Sequence, residues 1–443
     1  MAGGVFTKTN KVRPGTYINV VNGRPPKTAE KPSGIVVMPL IGYDWGPRDE
    51  WIYFNAEFPD AEKAKFGRSV YDDNVHMMLL RLMLMNAAEI YAYIPGGGEK
   101  ATGMIGTDGG EVQVAAKYIG ALGNRLKIVS AANPTGGFDV SVLLDADEVE
   151  FFEGKETTSE IASAYIEFEG DKPLSAFASI SLSGGSDSPE KLNASMARFL
   201  DGAEKIKFNS MAFPTDDESL ITAAVSKIKY IRNAIGWKCN IVVANTAADY
   251  EGVYNLTNAF EYDGVQLTAG QATAWLAGAT AGAGYNKSLT YKAVTDASAV
   301  ISEKTNEEAV QAIKAGETFF SVDESGNIIL EYDINSKVTV LKEDPPDIRK
   351  GRVCRVYDTF ANDLLLAFPP GKYDNNSDGW TLIEGQGKAI LKKYQEDHAI
   401  TNVNLDEDFI VDKSQSAGDS VVISAGIQPI DSAEKYYFTV KAR

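Results

Sequence analysis

Two clusters of structure-breaking residues, with a change of hydrophobic period between them, constrain this chain more than any other feature. Before Pro95-Gly96-Gly97-Gly98 the pattern reads strand, helix, strand: Ser33–Leu40, Asp72–Ala88 (with Val75, Leu79, Leu82 and Met83 at helical spacing) and Glu89–Ile94. From about Lys100 to Leu182 the period becomes two, as in Phe138–Leu144, Val149–Phe152 and parts of Ala164–Phe168. The cluster Ser183-Gly184-Gly185-Ser186-Asp187-Ser188-Pro189 closes that stretch. Strands and helices then alternate again. Ser188–Ala203 reads as helix and Ile206–Phe213 as strand. Asp216–Ile235 is an amphipathic helix with Leu220, Ala224, Ile228 and Ile231 on one face. Lys238–Ala244 is a strand and Thr268–Ala283 a helix of small residues. The expectation is an α/β domain, its parallel or mixed sheet covered by helices, interrupted by an inserted β-sandwich.

At 443 residues the chain exceeds one ordinary core, so several domains are expected. The boundaries predicted are an N-terminal arm over 1–30, the α/β domain over 31–97 and 185–336, the insert over 98–184, a C-terminal α+β domain over 337–425 and a closing strand arm over 426–443. In the C-terminal domain, Arg349–Asp363 and Glu384–Glu396 read as helices, and Ser420–Ser424 as a strand. Both ends carry strand-forming pieces, Thr16–Val21 and Tyr436–Val440, without a hairpin partner beside them. Such a strand finds its partner elsewhere or remains a loose edge. The sequence shows no internal repeat.

Composition excludes several function classes. The net charge of −18 argues against nucleic acid as a main partner, because phosphate binding needs clustered Lys and Arg. It also requires self-assembly to set the few basic patches against acidic ones. The longest apolar run, Met77–Met85, is interrupted by Arg81 and falls short of the roughly 18 residues that span a bilayer. The N-terminus lacks the pattern of a secretion signal, and Ala2 does not fit N-myristoylation, so a protein made in the cytoplasm without its own membrane anchor is expected. Cys239 and Cys354 are too few and too far apart for a disulfide framework, and Cys239 reads as a small core residue.

Candidate chemistry is sparse. His76 and His398 are the only histidines, neither beside a nucleophile motif, and an ordinary structural role is the expectation for both. Gly96–Gly103 misses the phosphate-loop spacing, and Gly120-Ala121-Leu122-Gly123-Asn124 lacks the third glycine of a dinucleotide fingerprint; both read as turns. Asp374-Asn375-Asn376-Ser377-Asp378-Gly379 resembles the start of a calcium loop, yet its twelfth position is Gly385 where a bidentate Glu is needed, so a polar turn is expected. No metal or cofactor is expected. Arg349, Lys350, Arg352 and Arg355 stand out in an acidic chain, and on a helix Arg352 and Arg355 share a face. Two readings stay open for this strip, a solvated helix face or an electrostatic docking surface for an acidic partner.

The two ends carry a family resemblance. Met1-Ala2-Gly3-Gly4-Val5-Phe6 and Asn10-Lys11-Val12-Arg13-Pro14-Gly15-Thr16-Tyr17-Ile18-Asn19 resemble the start of contractile tail sheath proteins from phages and phage-tail-like bacteriocins of Gram-positive bacteria. Gln428–Val440 resembles the closing strand of that family. Tyr118–Asn124, Leu182–Gly185, Ala277–Gly282 and Ser288–Tyr291 are similar to its internal turns, in the same order. The resemblance implies a subtilisin-like but non-catalytic α/β domain with an inserted β-sandwich, and a subunit that polymerises helically around an inner tail tube protein. It also implies baseplate and tail terminator proteins as further partners, and a place in a virion tail or tail-like particle assembled in the host cytoplasm. The arms would pass strands to neighbouring subunits: Tyr17, Ile18 and Val20 at one end, Tyr436, Phe438 and Val440 at the other. The strip of Arg349, Lys350, Arg352 and Arg355 would face the tube. The rival from another class is an α/β hydrolase-like enzyme with an inserted β domain, built around a pocket holding His76 or His398. A second rival, a cell-surface array protein, is disfavoured by the lack of a secretion signal.

Overall fold

The computed structural model describes residues 3–4, 16–17 and 33–442, the first two pairs through their backbone. A seven-stranded sheet forms the centre. Its order is Glu317–Thr318, Val253–Leu256, Asn240–Ala244, Ser210–Ala212, Ser33–Pro39, Ala87–Tyr93 and Trp51–Asn55. All neighbours run parallel except the last pair, which is antiparallel. Both faces are dry. Val36 and Met38 enter one core with Trp275 and Leu276, while Val37 enters the other with Phe199, Met211 and Ile228. A strand buried on both sides reads as an unbroken apolar run, which Ile35-Val36-Val37-Met38 is.

The helix Ala269–Gly282 is buried almost all round, and its small residues let it lie against neighbouring backbone. A Cβ at Gly278 would come within 2.6 Å of the Met83 carbonyl oxygen. Helix starts follow their caps. The Asn74 side chain accepts from the N–H groups of His76 and Met77, so that helix spans Val75–Leu84 and begins later than its apolar pattern suggested. Asp217 caps Glu218–Tyr230 in the same way, and the final turn, Ile231–Ile235, widens to a π-helix before Gly236.

The insert is a sandwich of two antiparallel sheets. One runs Asp147–Lys155, Phe138–Leu144, Leu126–Ala132, Phe177–Ser181, and the other Ile166–Phe168, Gly110–Ala116, Thr102–Thr107. Val112, Val114, Ile128, Val140 and Val142 fill the space between them. The breaker clusters on either side are not loose: Gly97–Glu99 pairs with Ser186–Ser188 in an antiparallel ladder, tied further by an Arg48–Asp187 ion pair at 2.5 Å. Gly98 lies at φ 142°, and a Cβ there would overlap the Ser186 carbonyl.

The C-terminal domain packs two helices, Gly351–Ala367 and Ser377–Glu396, over a core of Val356, Phe360, Leu391, Tyr394 and Phe409. The second helix begins earlier than predicted because Asn376 caps it, accepting from Asp378 and Gly379 N–H. The calcium-like loop is thus a helix cap. Two short antiparallel ladders complete the domain: Ile400–Thr401 with Gln428–Pro429, and Phe409–Val411 with Ile423–Ala425. The strand expected at Ser420–Ser424 therefore lies a few residues later.

Candidate assembly interface

The last segment changes character at one residue. Up to Glu434 it is held: Gln428–Pro429 in its ladder, Ile430 N–H to Ala399 O at 2.8 Å, and Arg352 Nη1 to Ser432 Oγ at 2.9 Å. The Glu434 carboxylate accepts from Ser288 Oγ at 3.0 Å and Thr290 Oγ1 at 2.8 Å, and pairs with Lys350 Nζ. Burial alone would depress the Lys350 ammonium, but Glu434 and the Tyr332 hydroxyl push it above the usual lysine range. Beyond Glu434, Tyr436 is 69% exposed, Tyr437 90%, Phe438 86% and Val440 93%. The Tyr436 and Phe438 rings lie nearly parallel, at 11° and 6.4 Å. Alternate residues therefore share one side, as in a strand, yet among the described residues no strand pairs with it. A cavity of about 720 Å³ opens beside the segment's base, lined among others by Lys287, Tyr291, Tyr332, Arg352 and Tyr436.

At the other end, Gly3–Gly4 and Thr16–Tyr17 form a two-residue parallel ladder. Ile18 and Val20 lie outside the described residues, and Tyr17 is described only through its backbone.

The basic strip is not an open face. Arg355 is buried and pairs with Asp333 at 2.6 Å, also donating to Lys287 O at 2.6 Å and Tyr254 Oη at 3.2 Å. Burial opposes its charge, but Asp333 and Tyr254 hold it firmly protonated. Lys350 and Arg352 bind the tail segment, and Arg349 donates to Ile313 O. Of the anions that meet the strip, Asp333 from the α/β domain pairs with Arg355, and Glu434 and Asp431 from the tail pair with Lys350. Arg349 and Arg352 donate to the Ile313 carbonyl and the Ser432 hydroxyl; the strip is thus engaged within the chain, and three of its four residues stay half-buried. Two of those anions, Asp333 and Glu434, were missed in the sequence. So was the bidentate Arg232–Asp358 pair, at 2.7 and 2.8 Å, which fastens the C-terminal domain to the helix end at Ile231–Ile235 in the α/β domain. A lone acid between apolar neighbours, as in Tyr332-Asp333-Ile334, was the available signal.

The other candidates have structural roles. His76 Nε2 lies 2.9 Å from Ile41 O with the Tyr43 ring edge beside it, and burial lowers its affinity for a proton. His398 sits at φ 54° in the turn after a helix. Gly120–Asn124 lies in a short 3-10 turn, where Asn124 and Gly185 exchange hydrogen bonds at 2.7 and 2.8 Å. Cys239 and Cys354 are separate buried thiols, that of Cys239 pushed up to about 12 by burial. Among the described residues no cluster of three or more His, Cys, Asp or Glu could hold a metal, and no helix is long and apolar enough to cross a membrane.

Three family models match the chain in series: the phage tail sheath protein beta-sandwich domain over residues 96–187, the phage tail sheath protein central domain over 190–336 and the phage tail sheath C-terminal domain over 343–443. The chain is 31% identical, across the whole of both sequences, to the phage-like element PBSX protein XkdK of Bacillus subtilis. The crystal structure of a sheath tail protein from Desulfitobacterium hafniense superposes with a TM-score of 0.82 at 32% identity, covering 96% of this chain and 99% of that one. The helical sheath of the anti-feeding prophage in its contracted state shares the fold, with a TM-score of 0.55 at 13% identity over 97% and 98% of the two chains. With full-length relatives above 30% identity in both sequence and structure, this chain belongs to the phage tail sheath protein family: it is a tail sheath subunit, a structural component of a phage tail or tail-like particle and not an enzyme.

Proposed function

We propose that this subunit builds a contractile sheath. It polymerises helically around an inner tail tube protein, meets baseplate and tail terminator proteins at the ends, and shortens to drive the tube through a target envelope. Its non-catalytic α/β domain is read as subtilisin-like, and assembly takes place in the host bacterial cytoplasm before release. The observation that carries the proposal is the strand-like Tyr436–Val440 segment, bare on every side yet rooted at Glu434. An extended segment of alternating aromatic and apolar residues gains most by adding to a sheet edge of another copy, where backbone hydrogen bonds supply strength and alternate side chains supply register. The residues around Tyr17, Ile18 and Val20 do the same at the other end. Arms of this kind tether neighbours while the packed domains move as rigid bodies, so contraction releases free energy stored at assembly and needs no nucleotide. The fold shared with a sheath solved in its contracted state supports this reading. Negative-stain electron microscopy of the full-length protein beside a chain lacking residues 1–22 tests it. Hollow cylinders from the full-length chain, lost on truncation, are expected. Cylinders of equal number and length from the truncated chain would contradict the linking role of the N-terminal arm.

A further inference from the structure

A strand destined for another copy is a liability while the subunit is alone. Tyr436, Tyr437, Phe438 and Val440 are exposed together, and among the described residues no hydrogen bond holds residues 435–442. An unpaired strand with apolar side chains invites pairing with whatever it meets first.

The same chain offers these side chains a place. The cavity of about 720 Å³ at the base of the tail lies on the seam between two domains: Lys287, Tyr291, Ile313 and Tyr332 line it from the α/β domain, and Arg352 and Tyr436 from the C-terminal side. Its volume falls within the roughly 300–1,000 Å³ of ordinary ligand pockets, and two tyrosine rings with the Ile313 side chain supply an apolar lining. One lining residue carries a polar atom without a partner. Arg352 donates through Nη1 to Ser432 Oγ at 2.9 Å and through Nη2 to His398 O at 3.4 Å, but its Nε is buried with no acceptor among the described residues. A buried donor left unpaired is unfavourable, and an entering backbone carbonyl would satisfy it. Register points the same way. Tyr436 lines the cavity, and its ring lies nearly parallel to that of Phe438, at 11° and 6.4 Å. Alternate residues of an extended segment share one side, so Phe438 lies on the side of Tyr436 and Tyr437 on the other. Glu434 is fixed by Ser288, Thr290 and Lys350, which leaves Lys435 as the pivot. Rotation there carries Phe438 across the cavity mouth.

We infer that residues 436–438 form a strap that closes over this cavity in the unassembled subunit, with Phe438 inside against Tyr291, Ile313 and Tyr332, and that opens when another copy takes the strand. The inference rests on the strand-passing reading above and adds what holds the strand until then. Burying one large apolar side chain favours closure by roughly tenfold or more, and ordering the few residues after Glu434 takes back part of that gain. The closed form then outnumbers the open one several-fold. A subunit whose competent form is the minor one binds its neighbour more weakly by that fraction, so the strap raises the concentration at which tubes form without preventing them.

Disulfide trapping in the full-length chain tests this, and the two natural cysteines, both buried, do not compete. One variant carries Ile313→Cys with Phe438→Cys, and its control carries Ile313→Cys with Tyr437→Cys. Below the concentration at which tubes form, the Phe438→Cys pair should close within one chain about tenfold faster than the control. Equal rates would show a tail without this register and overturn the strap, while leaving strand passing intact. A mixed dimer between differently tagged chains carrying Ile313→Cys and Phe438→Cys singly, in place of the bond within one chain, would give the cavity to a second copy and overturn the strap as well. The locked chain should form no cylinders under the electron microscope until it is reduced; cylinders from the locked chain would refute the inhibitory role. Lys287→Trp, which fills the cavity and leaves the tail unchanged, should slow the trapping and lower the concentration needed for tubes about fivefold. An unchanged concentration would contradict the inference. A natural chain that forms no cylinders at any concentration, although the trapped bond forms, would overturn strand passing and the inhibitory role together.

Discussion

The neck of the inserted sandwich and the C-terminal tail are built from similar material, short extended pieces beside flexible residues, and they end differently. At the neck, Gly97–Glu99 and Ser186–Ser188 find each other, close a ladder and fix the insert on the domain that carries it. At the tail, Gln428–Pro429, Ile430, Ser432 and Glu434 are tied inside the chain, while Tyr436, Tyr437, Phe438 and Val440 are offered to solvent. On the proposed reading, the difference lies in where the partner strand resides. A segment whose partner lies in the same chain completes its hydrogen bonds on folding, whereas one whose partner lies in another copy stays open until assembly.

The largest effect expected in breaking this comparison is at the joint that lets the C-terminal domain hold the tail at all. Arg355→Met leaves Asp333 buried and unpaired, which should cost about 3–5 kcal/mol, read as a lowered denaturation midpoint. A loss below about 1 kcal/mol would mean that Asp333 recovers water and that the domain is less tightly docked. Next comes the neck. Gly98→Ala meets both an unfavourable φ and the Ser186 carbonyl, and should cost about 1–3 kcal/mol by the same measurement, with hydrogen exchange rising in Gly97–Glu99 before the sandwich core. Smaller still is the tail. Glu434→Gln should leave the global midpoint nearly unchanged and weaken local anchoring by about 1 kcal/mol, so tryptic cleavage after Lys435 accelerates about fivefold.

The smallest effect concerns pH. Asp249 is held down to about 2 by hydrogen bonds from the Thr339 hydroxyl and from the N–H groups of Thr339 and Val338, which tie the strap entering the C-terminal domain. A depressed carboxylate stabilises the fold above its unfolded value, near 3.9, and loses that contribution as pH falls through about 2. The stability deficit of Asp249→Asn should thus be constant between about pH 5 and 7, shrink as pH falls through about 2 and vanish by about pH 1. A deficit that persists in acid would assign the effect to packing.

The layered core was legible in the sequence for a physical reason. Ile35–Met38 is apolar on both sides of its strand because both sheet faces are covered, and the small residues of Ala269–Gly282 announce a helix pressed against backbone. Helix starts were less legible, since Asn74 and Asn376 outweigh the apolar pattern through their caps. The neck was read as two separate breaker clusters because its pairing joins residues nearly ninety positions apart, and local patterns carry no such information. The partners of the basic strip were hidden likewise. Spacing places Arg352 and Arg355 on one helix face, but only the fold shows Asp333 and Glu434 waiting there.

The most direct test of the central claim is electron microscopy of a chain ending at Lys435 beside the full-length protein, with circular dichroism to verify that both fold. The Glu434 anchor remains in the shorter chain, so the account predicts a folded subunit with an unchanged melting transition that forms no cylinders. Cylinders of ordinary length from that chain would show that the exposed Tyr436–Val440 strand joins nothing, and would contradict the account.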